Sequence, residues 1–334
     1  MLTEDATTVW KYLNGIICIY KPAMVSMSSV RKLLCSKLAL DLNELKCRKP
    51  RNYVSIDGDT RHPLNVNIRS SYADHPLVIG PRYIPEEIKV RPAKFFEKRT
   101  SGVCIMGINY GIRRAFYLNT CNPLCTYHIT GQFGLATDNL FSDGKIIYKS
   151  NFEYIRKPFV DEAVASIQAN HQKNLFSSTG FHPQSQTAYE LAVSGMVRPV
   201  DKNVPVIYSI KCIQLNLPYF ILEVVSVNEN EDYLLNLVHE VGYRIKNLAI
   251  TTAVHCIRHS YFSLENAILK KHWSLQNILD NLNHCNDILK LNKEFSIYLQ
   301  QKQEEEKKFF SNCNEDLDAE LENEMDIIQS EKIH

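Results

Sequence analysis

An α+β fold is what this sequence of 334 residues predicts, and three observations carry the expectation. Segments with helical periodicity and segments with strand character are interleaved irregularly. The strand-like segments include "CTYHITGQFGLATD", which alternates, and "SGVCIMGI", which is apolar on both faces. No repeat and no long linker interrupts the chain before residue 300, and 45% hydrophobic residues suffice for a large core.

The elements follow in chain order. "GIICIYKP" (15–22) is a short apolar run closed by a proline, a strand entering a loop. The serine-rich start of "SMSSVRKLLCSKLAL" (26–40) predicts a capped helix. "LKCRKPRNYVSIDGDTRHPLN" (45–65) is basic and carries turn signals, which suit an exposed loop with a hairpin at Asp57-Gly58. Residues 101–108 form a buried strand, and "GIRRAFYLNT" a helix. Residues 125–138 are rich in β-formers, whereas 159–172 and 186–200 have helical spacing, with Gly195 as a helix stop. Residues 204–230 give two strands joined at Leu215–Pro218. A helix over 231–246 ends near Gly242, and a strand with a turn covers 248–264. Two further helices are expected, opened by Ser263 and Ser274.

The formal net charge of +1 hides an asymmetry. Residues 301–334 hold 11 Asp and Glu against 4 Lys and Arg, so residues 1–300 carry +8. A basic body with an acidic tail suits a polyanion such as RNA, although a mildly basic surface alone reads equally as plain solvation. No run approaches eighteen apolar residues, so no membrane span is expected. The ten cysteines include no CxxC pair and are expected as free thiols. Cys121, Cys125 and His128 have loose ligand spacing without a fourth ligand, so no metal is expected. The opening "MLTEDATTVW" is acidic and lacks Arg, a poor match to a mitochondrial presequence.

Several stretches, in order, resemble one family. "NGIICIYKPAMVSMSS" resembles the Gly-x-x-x-x-x-Lys-Pro-x-x-x-x-Ser opening of TruB-type pseudouridine synthases. "TSGVCIMGI" is similar to the strand after their catalytic aspartate, and residues 126–147 to their Tyr-x-x-x-x-x-x-Gly-x-x-Thr-Asp … Asp-Gly stretch. "AYELAVSGMVRPV" and "LVHEVG" resemble later helices, and "SSYADHPLVIGPRY" a segment of the mitochondrial branch. The resemblance covers residues 13–285 and implies a mixed, largely antiparallel sheet with flanking helices and a central RNA-binding cleft. It implies a catalytic domain over 1–260, a short helical region over 261–300 and an acidic tail over 301–334. It further implies uridine isomerisation in RNA, a mitochondrial address, no cofactor, and RNA-processing or ribosome-assembly proteins as partners.

Mapped residue by residue, the family's motifs match in part. Tyr127 stands where a tyrosine stacks on the extruded base, and Tyr233 where a second tyrosine serves as proton acceptor; by position alone they read equally as a half-buried strand tyrosine and a helix-start tyrosine packed on the core. The catalytic aspartate position, five residues before Gly102, holds Glu97. "RPAKFFE" replaces the Gly-His-x-Gly-x-Leu-Asp motif, Leu235 replaces an arginine that orients the carboxylate, and Cys125 replaces a lysine. Glu97 therefore reads as a working carboxylate or as a solvated residue in a basic loop. Asp57 and Asp59 are explained by turn chemistry. Arg91, Lys94, Lys98 and Arg99, with Lys21 of the Lys-Pro segment, are the expected phosphate contacts; Phe95 or Phe96 could stack on a splayed base. "LKCRKPR" (45–51) is a second basic patch or a solubilising loop.

Overall fold

A computed structural model describes residues 5–46, 52–58, 61, 63–72, 75–178, 185–194 and 204–292. The basic stretch 47–51, Asp59, Gly195 and the acidic tail lie outside the described residues. The chain opens with α1 (Ala6–Tyr12), which the sequence reading did not anticipate. The Asp5 carboxylate caps it, accepting from the Thr7 backbone N–H and from the Thr7 and Thr8 hydroxyls. Next come β1 (Gly15–Lys21) and α2 (Met27–Glu44), whose Ser26 Oγ accepts from Ser29 N at 3.2 Å, as the serine-rich start implied.

A separate hairpin of β2 (Asn52–Asp57) and β3 (Asn65–Ser70) follows, almost wholly exposed, and then the single turn α3 (Pro76–Ile79). The middle of the chain holds β4 (Val90–Pro92), β5 (Thr100–Ile108), α4 (Gly111–Thr120), β6 (Cys125–Phe133), β7 (Leu135–Thr137) and β8 (Ile146–Lys149). Helices α5 (Lys157–Ser178) and α6 (Gln186–Ser194) precede β9 (Val206–Asn216) and β10 (Tyr219–Val227). The last elements are α7 (Glu231–Arg244), β11 (Ala249–His259), β12 (Phe262–Ser263) and α8 (Leu275–Leu291).

One sheet organises these parts, with order β1-β5-β11-β6-β10-β9, β4 added to β5 and β12 to β11. All pairings in it are antiparallel except β5 with β11. The alternation read in 125–133 is realised: every second residue of β6 is buried, Cys125, Tyr127 and Ile129 among them. β5 is buried along nearly its whole length. Helix α5 packs on β9, and α7 on β11.

The helix expected from Ser263 is corrected to two short 3-10 turns, Leu264–Asn266 and Lys270–His272. Asn266 Oδ1 takes the Ser263 N–H at 2.9 Å, closing one turn. Ile268 then bridges β1, donating to Cys18 O and accepting from Tyr20 N, so sheet pairing takes the backbone groups that a helix would need. One compact unit extends through Asn283, and a second begins at His284, within α8. In the first, Asn281 Oδ1 accepts from Cys18 N at 2.9 Å and Asp41 Oδ2 from Leu275 N at 2.7 Å.

The feature that positions the site is a fork at β5. Its first residues, Thr100–Gly102, pair with Val254–Cys256 of β11; its last, Met106–Ile108, pair with Pro92–Val90 of β4. The loop 93–99 therefore leaves and rejoins the edge of one strand. Gly102 sits at φ +114°, and a Cβ there would lie 2.0 Å from Cys256 O, so this seam needs glycine.

Candidate RNA-modification site

Loop 93–99 is held from several sides. Ala93 N donates to Ile105 O at 2.9 Å, and Phe96 is buried edge-on to His259, ring centroids 5.7 Å apart. Lys98 O accepts from Met24 N at 2.8 Å. Glu231 Oε2, in the first turn of α7, accepts from Thr100 N at 2.8 Å and Thr100 Oγ1 at 2.7 Å. With the flanks fixed, Phe95 and Glu97 face outward, Phe95 at 71% exposure.

Glu97 has no hydrogen bond or ion pair among the described residues. Partial burial first, then the carboxylates of Glu231 and Asp232, hold its pKa above the ordinary glutamate value, against the pull of Arg99. This carboxylate binds its proton more tightly than a solvated one.

Two of the five expected phosphate contacts are corrected. The Lys21 side chain is fully buried, and its ammonium donates to Thr100 O (2.6 Å), Lys98 O (3.3 Å) and Pro22 O (3.4 Å). Burial lowers its pKa, against the opposing influence of Cys104 and Glu231. Lys94 turns inward to pair with Glu229. Burial pulls its pKa down, but Cys125 and Glu229 more than restore it, leaving the ammonium above the ordinary lysine value. Both cations are committed to contacts that hold the loop. Arg99 is partly committed, 3.5 Å from Asp143 and 5.0 Å over the Phe141 ring. Arg91 and Lys98 are exposed, with side chains free of partners among the described residues.

The expected stacking role of Tyr127 also differs. Its ring is 1% exposed, and its hydroxyl donates to Glu229 Oε1 at 2.6 Å, the oxygen that Lys94 also reaches. Burial, then Cys125 and Glu229, push the Tyr127 hydroxyl far above the ordinary tyrosine pKa, so it remains a donor. The open aromatic beside Glu97 is Phe95. Tyr233 N is capped by Asn230 Oδ1 at 2.8 Å, and its hydroxyl lies 3.0 Å from His171 Nε2 on α5. Burial foremost raises the Tyr233 pKa and lowers that of His171. Leu235 is buried.

Glu229, Glu231 and His171 were not singled out from sequence. The run "NENEDY" carries a signal, acids flanking a helix start, but it points first to capping. The partners of Lys94 and Thr100 lie 135 and 131 residues away, which no local pattern reveals. Asp57 pairs with Arg69 inside the hairpin, a turn-stabilising role. Cys125 is buried on one side of β6, whereas His128, on the other, lies 3.5 Å from Glu223; the two cannot share an ion. Among the described residues there is no group of three candidate metal ligands, and no helix is long and apolar enough to cross a membrane.

Comparison with known proteins adds an independent line. Residues 97–230 match the model of the TruB family pseudouridylate synthase N-terminal domain, a match that begins at Glu97. The chain is 31% identical over 275 residues to the human protein named "Pseudouridylate synthase TRUB2, mitochondrial", covering 80% of this chain and 82% of that one. It is likewise 31% identical over 294 residues to the Xenopus tropicalis protein of that name (85% and 89%). It is 23% identical over 224 residues to the tRNA pseudouridine synthase B of Ureaplasma urealyticum (66% and 93%). Among solved structures it is similar to the archaeal box H/ACA sRNP Nop10-Cbf5 complex, at TM-score 0.44 and 10% identity, covering 81% of this chain and 54% of that one. With the family-model match and 31% identity over 80% or more of the chain to two of these relatives, the chain belongs to the TruB family of pseudouridine synthases, in its mitochondrial branch.

Proposed function

We propose that this protein converts uridine to pseudouridine in mitochondrial RNA, with Glu97 as the carboxylate of the reaction. One observation carries the reading: a loop clamped at Ala93, Phe96, Lys98 and Thr100 presents an unpaired carboxylate beside an exposed phenyl ring and free cations. Isomerisation requires the base to leave its stack, at a cost of a few kcal/mol, and to find an aromatic surface in exchange. Phe95 supplies that surface, and Arg91 and Lys98 meet the flanking phosphates. Glu97 then acts at the ribose or the ring edge as nucleophile or electrostatic partner. Tyr127 acts through Glu229 and Lys94 and is a positioning residue; Tyr233 takes the C5 proton as its own hydroxyl proton passes to Nε2 of the neutral His171 ring. The word "mitochondrial" in the names of the relatives supports the compartment.

A second reading, an RNA-binding or ribosome-assembly factor without chemistry, draws on the buried Leu235. No arginine there orients the acid, and Arg99 turns to Asp143 and Phe141. Glutamate is also one methylene longer than aspartate, and a displacement of about 1 Å can cost ~10²-fold in rate. The deciding experiment maps pseudouridine in mitochondrial RNA from cells carrying wild type or Glu97→Gln, alongside the purified proteins on the same RNA. Sites made by wild type and lost in Glu97→Gln, with RNA affinity kept within a few-fold, support the enzyme. Absence of isomerisation by purified wild type, with intact RNA binding, moves the conclusion to the second reading.

A further inference from the structure

A groove of about 780 Å³ runs between α2 and the segment leading into β4, away from Glu97. Its floor is apolar and closed by a specific contact: the Cys35 thiol donates to Ile88 O at 3.3 Å, fixing α2 alongside residues 85–91. Arg31 and Lys32 stand on the α2 side, Lys89 and Arg91 on the β4 side, and Glu86 is the single carboxylate lining it. The four cations are exposed, and none has a hydrogen bond or ion pair from its side chain among the described residues. Unpaired cations of one sign on both walls raise the local potential for an anion beyond what scattered surface charges do. Among the lining residues, Arg91 lies two residues before the clamped loop begins.

We propose that this groove is a second RNA-binding site, which takes the phosphodiester backbone and leads the strand to the loop. Two walls of cations over an apolar floor suit a chain of regularly spaced phosphates better than a single small anion. Contact through phosphate alone carries no base information, so the groove sets affinity and register and leaves choice of uridine to the loop. The inference rests on RNA being the ligand, as proposed above, and is independent of whether Glu97 performs chemistry.

The test uses the full-length chain, in wild-type and Glu97→Gln backgrounds, binding a folded tRNA-sized RNA across a salt series. Arg31→Ala with Lys32→Ala removes two wall charges from the exposed side of a helix, where alanine keeps the helix. The plot of log affinity against log salt is expected to flatten by about 1.4 to 1.8, roughly 0.7 to 0.9 for each phosphate that the variant no longer neutralises. Lys270→Ala with Lys271→Ala, an equal charge change elsewhere, is expected to leave the slope near wild type. Equal slopes for the two pairs overturn the groove while leaving RNA as the ligand; wild type that binds no RNA overturns the reading it rests on. Poly-glutamate competing as well as RNA, charge for charge, assigns the groove to an acidic protein and overturns the proposal.

Discussion

Replacing Lys94 by methionine tests whether the loop depends on its buried ion pair. The Glu229 side chain is 1% exposed and that of Lys94 18%. The same carboxylate oxygen takes the Tyr127 hydroxyl, and its other oxygen, Glu229 Oε2, is buried without a partner among the described residues. Lys94→Met leaves a buried carboxylate with one neutral donor, and breaking such a pair from one side costs about 3–5 kcal/mol. Lys94→Met with Glu229→Leu removes both charges, leaving chiefly the unpartnered Tyr127 hydroxyl, a cost of about 1–3 kcal/mol. The double variant should therefore be more stable than the single one. The assay is urea unfolding followed by circular dichroism, compared at equal m-values. Isomerisation should fall in both variants, because each frees the loop at residue 94. A cost below about 1 kcal/mol for Lys94→Met would refute the argument, since a buried unpaired carboxylate cannot be that cheap.

Three further outcomes are expected. Asp232→Asn removes a charge that holds Glu97 up, so the acid limb of the pH–rate profile should move to lower pH; an unmoved limb separates that limb from Glu97. Phe95→Ala should weaken RNA binding by about 1–3 kcal/mol in a filter or anisotropy assay while leaving the melting temperature unchanged; a loss of thermal stability instead would mean the ring packs on the body. His259 is buried, with both ring nitrogens unpartnered among the described residues, and burial lowers its pKa to about 3. The unfolded chain then binds a proton that the folded chain refuses. Stability from this group is present above the unfolded histidine value and lost as pH falls from about 6.5 towards 3, at up to ~1.4 kcal/mol per pH unit. Melting curves across that window should show a shallower acid loss in His259→Phe; an unchanged slope would exclude the histidine.

The parts of this fold that local chemistry dictates were legible. Ser26 caps α2, the alternation of 125–133 becomes the buried and open faces of β6, and the wholly apolar 101–108 becomes an interior strand. The fold class and family followed from those elements and their order. Side-chain direction was not legible. A sequence prints Lys21, Lys94 and Lys98 as equal cations, yet carbonyls of the loop bury the first, Glu229 the second, and only the third faces water. Tyr127 was placed on the right strand, but its burial comes from the sheet and from Glu229, which is 102 residues away. The helix expected from Ser263 failed for the same reason: its cap was real, but pairing with β1 decided the backbone.

The fork at β5 has a mechanical consequence. The ribbon of β1, β5 and β4 joins the ribbon of β11, β6, β10 and β9 through the short parallel contact of Thr100–Gly102 with Val254–Cys256. Ser101 Oγ adds one strut across it, to Val254 O at 3.1 Å. A sheet stiff along its strands is compliant where the cross-links are few, so twist between the ribbons concentrates at that joint, next to the residue that starts the loop's return. An RNA pressing on both ribbons would have the loop that carries Glu97 rooted at the fulcrum, where the lever arm is shortest and the displacement smallest. The loop would stay still while the binding surfaces around it adjust to the shape of the RNA.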